Sequence, residues 1–251
     1  MIVARVRLAA AVFVSLVLLF GCATGGDTVD NQRAAEANAG LAADFLRRGN
    51  NQQAATHFKR ALGYDDSNVS ANWGMAIASD RLGNPERARR YYNDALALQS
   101  RPDIVNSYAA FLCKQGDVSE AVGYFKQAAG NPRYAGRADA LANAGLCLQR
   151  DGQAQVAERY YRDALAADAS QVTALAQMAQ LEYAQQNYLR ARAFIERADA
   201  VTELNAEQLM QGARIELALG DREAARAYLE RHNTSQPAAA LSLSQLEQSR
   251  E

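Results

Sequence analysis

Apolar and small residues recur along this chain in a pattern that repeats about every 34 positions. An alanine stands four residues before an aromatic or branched residue, and a second small residue follows three further on. The column reads Ala54, Phe58, Ala61; Ala88, Tyr92, Ala95; Ala121, Phe125, Ala128; Ala157, Tyr161, Ala164; Ala191, Ile195, Ala198; and Ala225, Leu229, His232. Its leading alanines are 34, 33, 36, 34 and 34 residues apart. Spacings of three and four place each triplet on one face of a helix. Before each leading alanine lies a turn signal: Gly49-Asn50, Gly83-Asn84, Gly116-Asp117, Gly152-Gln153, Gln186-Asn187 and Gly220-Asp221. Upstream of each turn a second stripe of apolar residues recurs at helical spacing, as in Leu41, Ala42 and Phe45, or Tyr108, Ala109 and Leu112. Each unit therefore predicts helix, turn, helix.

The period predicts an all-α chain, a superhelical solenoid in which each unit packs on its neighbours. Six units span 35–68, 69–101, 102–137, 138–171, 172–205 and 206–236, and together form one elongated domain. The step between the third and fourth is two residues longer, and Gly130-Asn131-Pro132-Arg133-Tyr134 forms its loop. Residues 237–251 read as a C-terminal cap and tail, with a weak helix over Ala238 to Leu246. The pattern resembles the tetratricopeptide repeat over about 200 of the 251 residues. Two units depart from it where Asp65-Asp66 and Asp168-Ala169 stand in place of a repeat-ending proline, and a third has His232 at its last small position.

The N-terminus follows a different pattern. Arg5 and Arg7 precede an apolar run from Leu8 to Phe20, interrupted only by Ser15 and followed by Gly21-Cys22. Thirteen residues are too few to span a bilayer, so residues 1–21 read as a secretory signal. A cysteine after a small residue at the end of such a run resembles a bacterial lipobox. That resemblance implies covalent diacylglycerol and an acyl chain at Cys22, and several chains together anchor stably. Ala23 after the cysteine, rather than aspartate, favours the periplasmic face of the outer membrane by resemblance to enterobacterial sorting. Residues 22–34, polar and containing Gly25-Gly26, read as the lipidated cysteine and a flexible tether.

Composition narrows the chemistry. The formal charge of −1 becomes about −3 once the two signal arginines leave, so no basic excess favours nucleic acid. The two histidines, His57 and His232, occupy unrelated places in second helices, where they read as partly exposed structural residues, and neither has ligands at metal spacing. The chain shows no phosphate loop and no nucleophile elbow. No cofactor, no metal and no enzymatic activity are expected. Cys113 and Cys147 fall in the first helices of consecutive units. In an oxidising periplasm they can bond, and a disulfide is the expectation; two buried free thiols are the alternative.

Such a chain binds. The repeat pattern puts Ala39, Ala43, Leu46 and Arg47 on the inner surface of unit one. Trp73, Ile77, Asp80 and Arg81 follow in unit two, and Asn106 and Ala110 in unit three. Leu46, Arg47, Trp73, Ile77, Arg81 and Asn106 are the candidate partner-binding groove, suited to the apolar face of an amphipathic helix. Ala39 and Ala43 stand where a clamp for a terminal carboxylate would need polar or basic residues. Trp73 and Ile77 could equally fill space between repeats.

The stretch from Asn106 to Asp117 (NSYAAFLCKQGD), followed by Ala128, Pro132, Tyr134 and Asn143-Ala-Gly-Leu-Cys147, resembles the type IV pilus biogenesis and stability lipoproteins of the PilF/PilW family. So does Gly212-Ala-Arg214-Ile-Glu-Leu-Ala-Leu-Gly220-Asp221. The resemblance implies a pilotin. Such a protein binds the secretin, the outer-membrane ring through which the pilus emerges, and promotes its localisation and multimerisation. A general envelope scaffold for outer-membrane assembly or peptidoglycan synthesis is the alternative reading.

Overall fold

The computed structural model describes residues 25–248; the signal segment and Cys22 lie outside them. Among the described residues every regular element is helical. The chain divides into two compact units between Ser100 and Arg101, one residue before the predicted border of the second and third repeats, where the sequence pattern implies one continuous array. The first unit contains α1 (Gly25–Arg47), α2 (Asn51–Tyr64), α3 (Val69–Arg81) and α4 (Pro85–Leu98). The second contains α5 (Pro102–Gln115), α6 (Val118–Ala129), α7 (Arg137–Arg150), α8 (Ala154–Ala167), α9 (Val172–Ala184), α10 (Tyr188–Val201), α11 (Ala206–Leu219), α12 (Arg222–Ser235) and α13 (Leu243–Gln248).

The repeated triplet forms the core of both units. All eighteen of its residues are at most 7% exposed, His232 among them. Burial follows from the residue types: alanine lets neighbouring helix axes approach, and the aromatic or branched residue between two alanines fills the resulting gap. All six predicted turn positions are left-handed, with φ between 62° and 89° at Gly49, Gly83, Gly116, Gly152, Gln186 and Gly220. Glycine enters this region without a Cβ clash, so Gln186 is the one strained member.

The two missing prolines have a structural substitute. The Asp65 carboxylate accepts from the Ser67 N–H at 3.0 Å, and Asp168 accepts from the Ser170 N–H at 2.9 Å. Each aspartate closes a side-chain turn that redirects the chain between repeats without proline. Asn68 and Gln171 then cap the following helices, accepting from the Ala71 and Ala174 N–H groups.

At the start, the structure differs from the expected tether. Helix α1 begins at Gly25, so residues 25–34 continue the first helix. From Ala35 onward α1 buries Ala35, Ala39 and Ala42, and each residue added to an anchored helix gains a backbone bond without a new nucleation cost. Residues 28–33 are exposed and gave no apolar periodicity to read. Thr28, Asn31 and Gln32 share a shallow groove with Tyr64, Asp65 and Ser67, which places the start of α1 beside the end of α2.

At the other end the helix is shorter than the pattern implies. A 3₁₀ turn at Pro237–Ala239 precedes α13, whose Leu246 is 1% exposed against Leu217, Ala225 and Leu229. Asn233 secures the intervening chain, donating to the Leu241 carbonyl at 2.8 Å and accepting from its N–H at 3.0 Å. The segment covers the apolar face that a seventh repeat would otherwise have to bury.

Candidate functional site: a groove between first helices

The first helices of the two repeats in the first unit, α1 and α3, enclose a groove of about 320 Å3. Ala39, Ala43 and Leu46 form one wall, Trp73 and Ile77 the other, and the Phe58 ring lies beneath them. Small side chains on α1 make the depth, since alanine at 39 and 43 leaves open the space a longer side chain would occupy. Gly74 makes the floor. A Cβ there would stand 2.0 Å from Cζ of Phe58, so only glycine lets this ring lie against the α3 backbone. Trp73 and Ile77 are one helical turn apart and half-buried, with part of each exposed to the groove.

The charged groups lie at the C-terminal ends of both helices. The Arg81 guanidinium donates from Nη1 to the Leu46 carbonyl at 2.9 Å, spanning from α3 to the last turn of α1. This carbonyl, among the last of its helix, also accepts from the Gly49 N–H at 3.2 Å, so Arg81 adds a second donor to it and places positive charge at a negative helix end. Arg47 pairs with Asp44 on the same helix; both are exposed, and the pair adds little stability. The site is thus an apolar trough ending in two cations. Its volume is at the lower end for ligand pockets, and it suits two or three apolar side chains presented along a helix.

Of the six residues in the sequence-derived groove, Leu46, Arg47, Trp73, Ile77 and Arg81 line this trough. Asn106 does not. It lies on α5 in the second unit, half-buried beside Tyr134, with its Oδ1 enclosed and without a hydrogen-bond partner among the described residues. The two-residue longer loop returns Tyr134 towards the start of α7, where it covers Gly136, and sequence spacing gave no sign of that return. Phe58, Ser70 and Gly74 line the trough without having been read from the sequence. The signal for Phe58 was its place in the core triplet, which conceals that one edge of a core ring also floors a groove.

Cys113 of α5 and Cys147 of α7 are joined as a disulfide in the structure, with Cα atoms 5.8 Å apart. Equivalent helices of consecutive repeats pack side by side, which brings together residues 34 apart in sequence. The bond staples the first helices of the third and fourth repeats on either side of the longer loop.

His57 stacks on Phe45 with ring centroids 5.3 Å apart, and His232 is 7% exposed, more enclosed than its sequence position implied. Among the described residues no group of three or more His, Cys, Asp or Glu side chains is arranged to hold a metal ion. Among the same residues no helix is long and apolar enough to cross a membrane.

Comparison with known proteins agrees with the repeat architecture. A tetratricopeptide-repeat family model matches residues 39–103 and 75–140. The type IV pilus assembly protein PilF of Pseudomonas aeruginosa is 32% identical over 228 residues, covering 88% of this chain and 90% of that protein. A solved Pseudomonas aeruginosa PilF structure superposes with a TM-score of 0.75 at 27% identity, covering 88% of this chain and 100% of the other. The crystal structure of PilW, a widely conserved type IV pilus biogenesis factor, superposes at 0.70 with 25% identity, covering 86% and 98%. The chain belongs to the PilF/PilW family of tetratricopeptide-repeat proteins of type IV pilus biogenesis.

Proposed function

We propose that this protein is a lipid-anchored pilotin, a non-enzymatic adaptor that grips a helical segment of the type IV pilus secretin in the α1/α3 groove and promotes secretin localisation and multimerisation. The observation that carries the reading is the groove itself: an apolar trough on a member of a pilus-biogenesis family, closed at one end by Arg47 and Arg81. An amphipathic secretin helix would lay its apolar face against Leu46, Trp73 and Ile77 and direct a carboxylate or its own C-terminal carbonyls towards the arginines. Diacylglycerol and an acyl chain on Cys22 would hold the adaptor at the periplasmic face of the outer membrane and carry its bound cargo there.

The test uses the full-length protein and its secretin in cells. Ile77→Asp puts an unpaired charge into the trough and should abolish secretin multimers while leaving the protein folded. Cys22→Ser should leave secretin in the wrong membrane. Normal secretin rings in both variants, with shape or permeability defects instead, would overturn the pilotin reading in favour of a general envelope scaffold.

A further inference from the structure

Beside the longer loop, α6, α7 and α8 enclose a second groove of about 510 Å3, wholly within the second unit. Ala129, Leu141 and Val156 make it apolar within, and Lys126, Arg137 and Arg159 stand exposed around it. Among the described residues none of these three cations forms an ion pair with a carboxylate. Asp163 is the one acidic residue in the lining.

The first unit holds an equivalent groove, of about 540 Å3, between α2, α3 and α4. Leu62, Tyr91 and Asp94 occupy there the repeat positions that Ala129, Tyr160 and Asp163 occupy in the second unit. Its charge is opposite: Asp66 joins Asp94 in the lining, no cation does, and Asn72 stands where the second unit has Leu141. Repeat stacking produces the cleft in both places, but nothing in that stacking requires three unpaired cations over an apolar floor in one of them.

The geometry points to the α6/α7/α8 groove as a docking site for an acidic peptide segment of a protein partner, one that inserts an aliphatic or aromatic side chain between flanking carboxylates. The two arginines can each receive a carboxylate through paired N–H groups, and Lys126 adds a third charge. An anionic bilayer is a poorer match, because a flat surface would meet the cations and leave the recessed Leu141 and Val156 uncovered. The net charge of −1 gives the whole chain no general attraction to polyanions, so the effect is local to this cleft. None of its lining residues belongs to the α1/α3 trough, and it stands or falls apart from secretin binding there.

An array of immobilised hexapeptides tests it, each with one Leu or Phe flanked by Asp and Glu, or by Asn and Gln at the same places. Full-length protein in detergent should be retained at least tenfold better by the acidic set, and retention should fall as salt rises. Lys126→Gln/Arg137→Gln/Arg159→Gln changes only exposed side chains and should abolish the preference with an unchanged thermal melt. Asp66→Asn/Asp94→Asn and Ile77→Asp should preserve it. Equal retention of both sets, no retention of the acidic set, an unchanged preference in the triple variant, or binding to phosphatidylglycerol vesicles without peptide binding would each overturn the assignment.

Discussion

The Phe58 ring occupies the position where any side chain on Gly74 would begin, with Cζ 2.0 Å from an ideal Cβ at that residue. One glycine thereby links the core of the first unit to the floor of its groove. Gly74→Ala must push the ring aside, at an overpacking cost of about 1–3 kcal/mol. Urea denaturation should show that loss, and partner affinity should fall with it. Gly123→Ala is the matched control: it sits within α6 with nothing within 4 Å of its Cβ position, and should gain about 0.5–1 kcal/mol from helix propensity.

Gln186 carries the left-handed conformation that glycine carries at the five sister turns. Replacing it with glycine removes a Cβ clash but frees the unfolded chain, so Gln186→Gly should stabilise the second unit by about 0.5–1 kcal/mol. Chemical denaturation would measure this, and an unchanged midpoint would show that the Gln186 side chain offsets its own strain.

Glu216 is a buried carboxylate, 2% exposed, held by a two-pronged pair with the Arg192 guanidinium. Arg192→Ala leaves that charge enclosed without its main partner and should cost about 3 kcal/mol, whereas replacing both residues with apolar ones of similar size should cost much less. A double-mutant cycle on thermal stability distinguishes pairing from packing.

Burial is the largest single influence on Asp103 and pushes its carboxyl pKa up. The hydrogen bond and charge of Arg101, with the Ile104 N–H, outweigh it and leave the pKa below the usual carboxylate value. The folded chain therefore binds fewer protons than the unfolded one in this range. The resulting stability is present above about pH 4 and is lost as pH falls through the lowered value. Asp103→Asn should flatten this part of the acid-denaturation profile and leave the neutral-pH shape unaltered.

The disulfide closes a loop spanning 34 residues, so chain entropy assigns it about 3–4 kcal/mol. Reduction, or Cys113→Ala/Cys147→Ala, should lower the unfolding free energy by that amount, read as a shift of the urea midpoint. Thiol labelling of unfolded protein isolated from cells should find neither Cys113 nor Cys147 free; two reactive thiols would show the bond absent in cells.

By itself, the sequence determined the helix pairs, their turns and the core triplets, because these rest on local periodicity and on the φ that glycine allows, while the family was legible only through the resemblance of stretches such as Asn106 to Asp117. Five of the six groove residues were legible for the same reason: Leu46, Arg47, Trp73, Ile77 and Arg81 follow from helix phase alone. Tertiary structure decided what depends on contacts between elements. It carried α1 back to Gly25, divided the array at Ser100 and Arg101, and put Asn106 beside Tyr134 instead of in the trough. It also set Phe58 beneath the trough and gathered Lys126, Arg137 and Arg159 around one cleft from three separate helices. Periodicity fixes which face of a helix a residue occupies, but what stands opposite that face is decided only when the neighbouring helices pack.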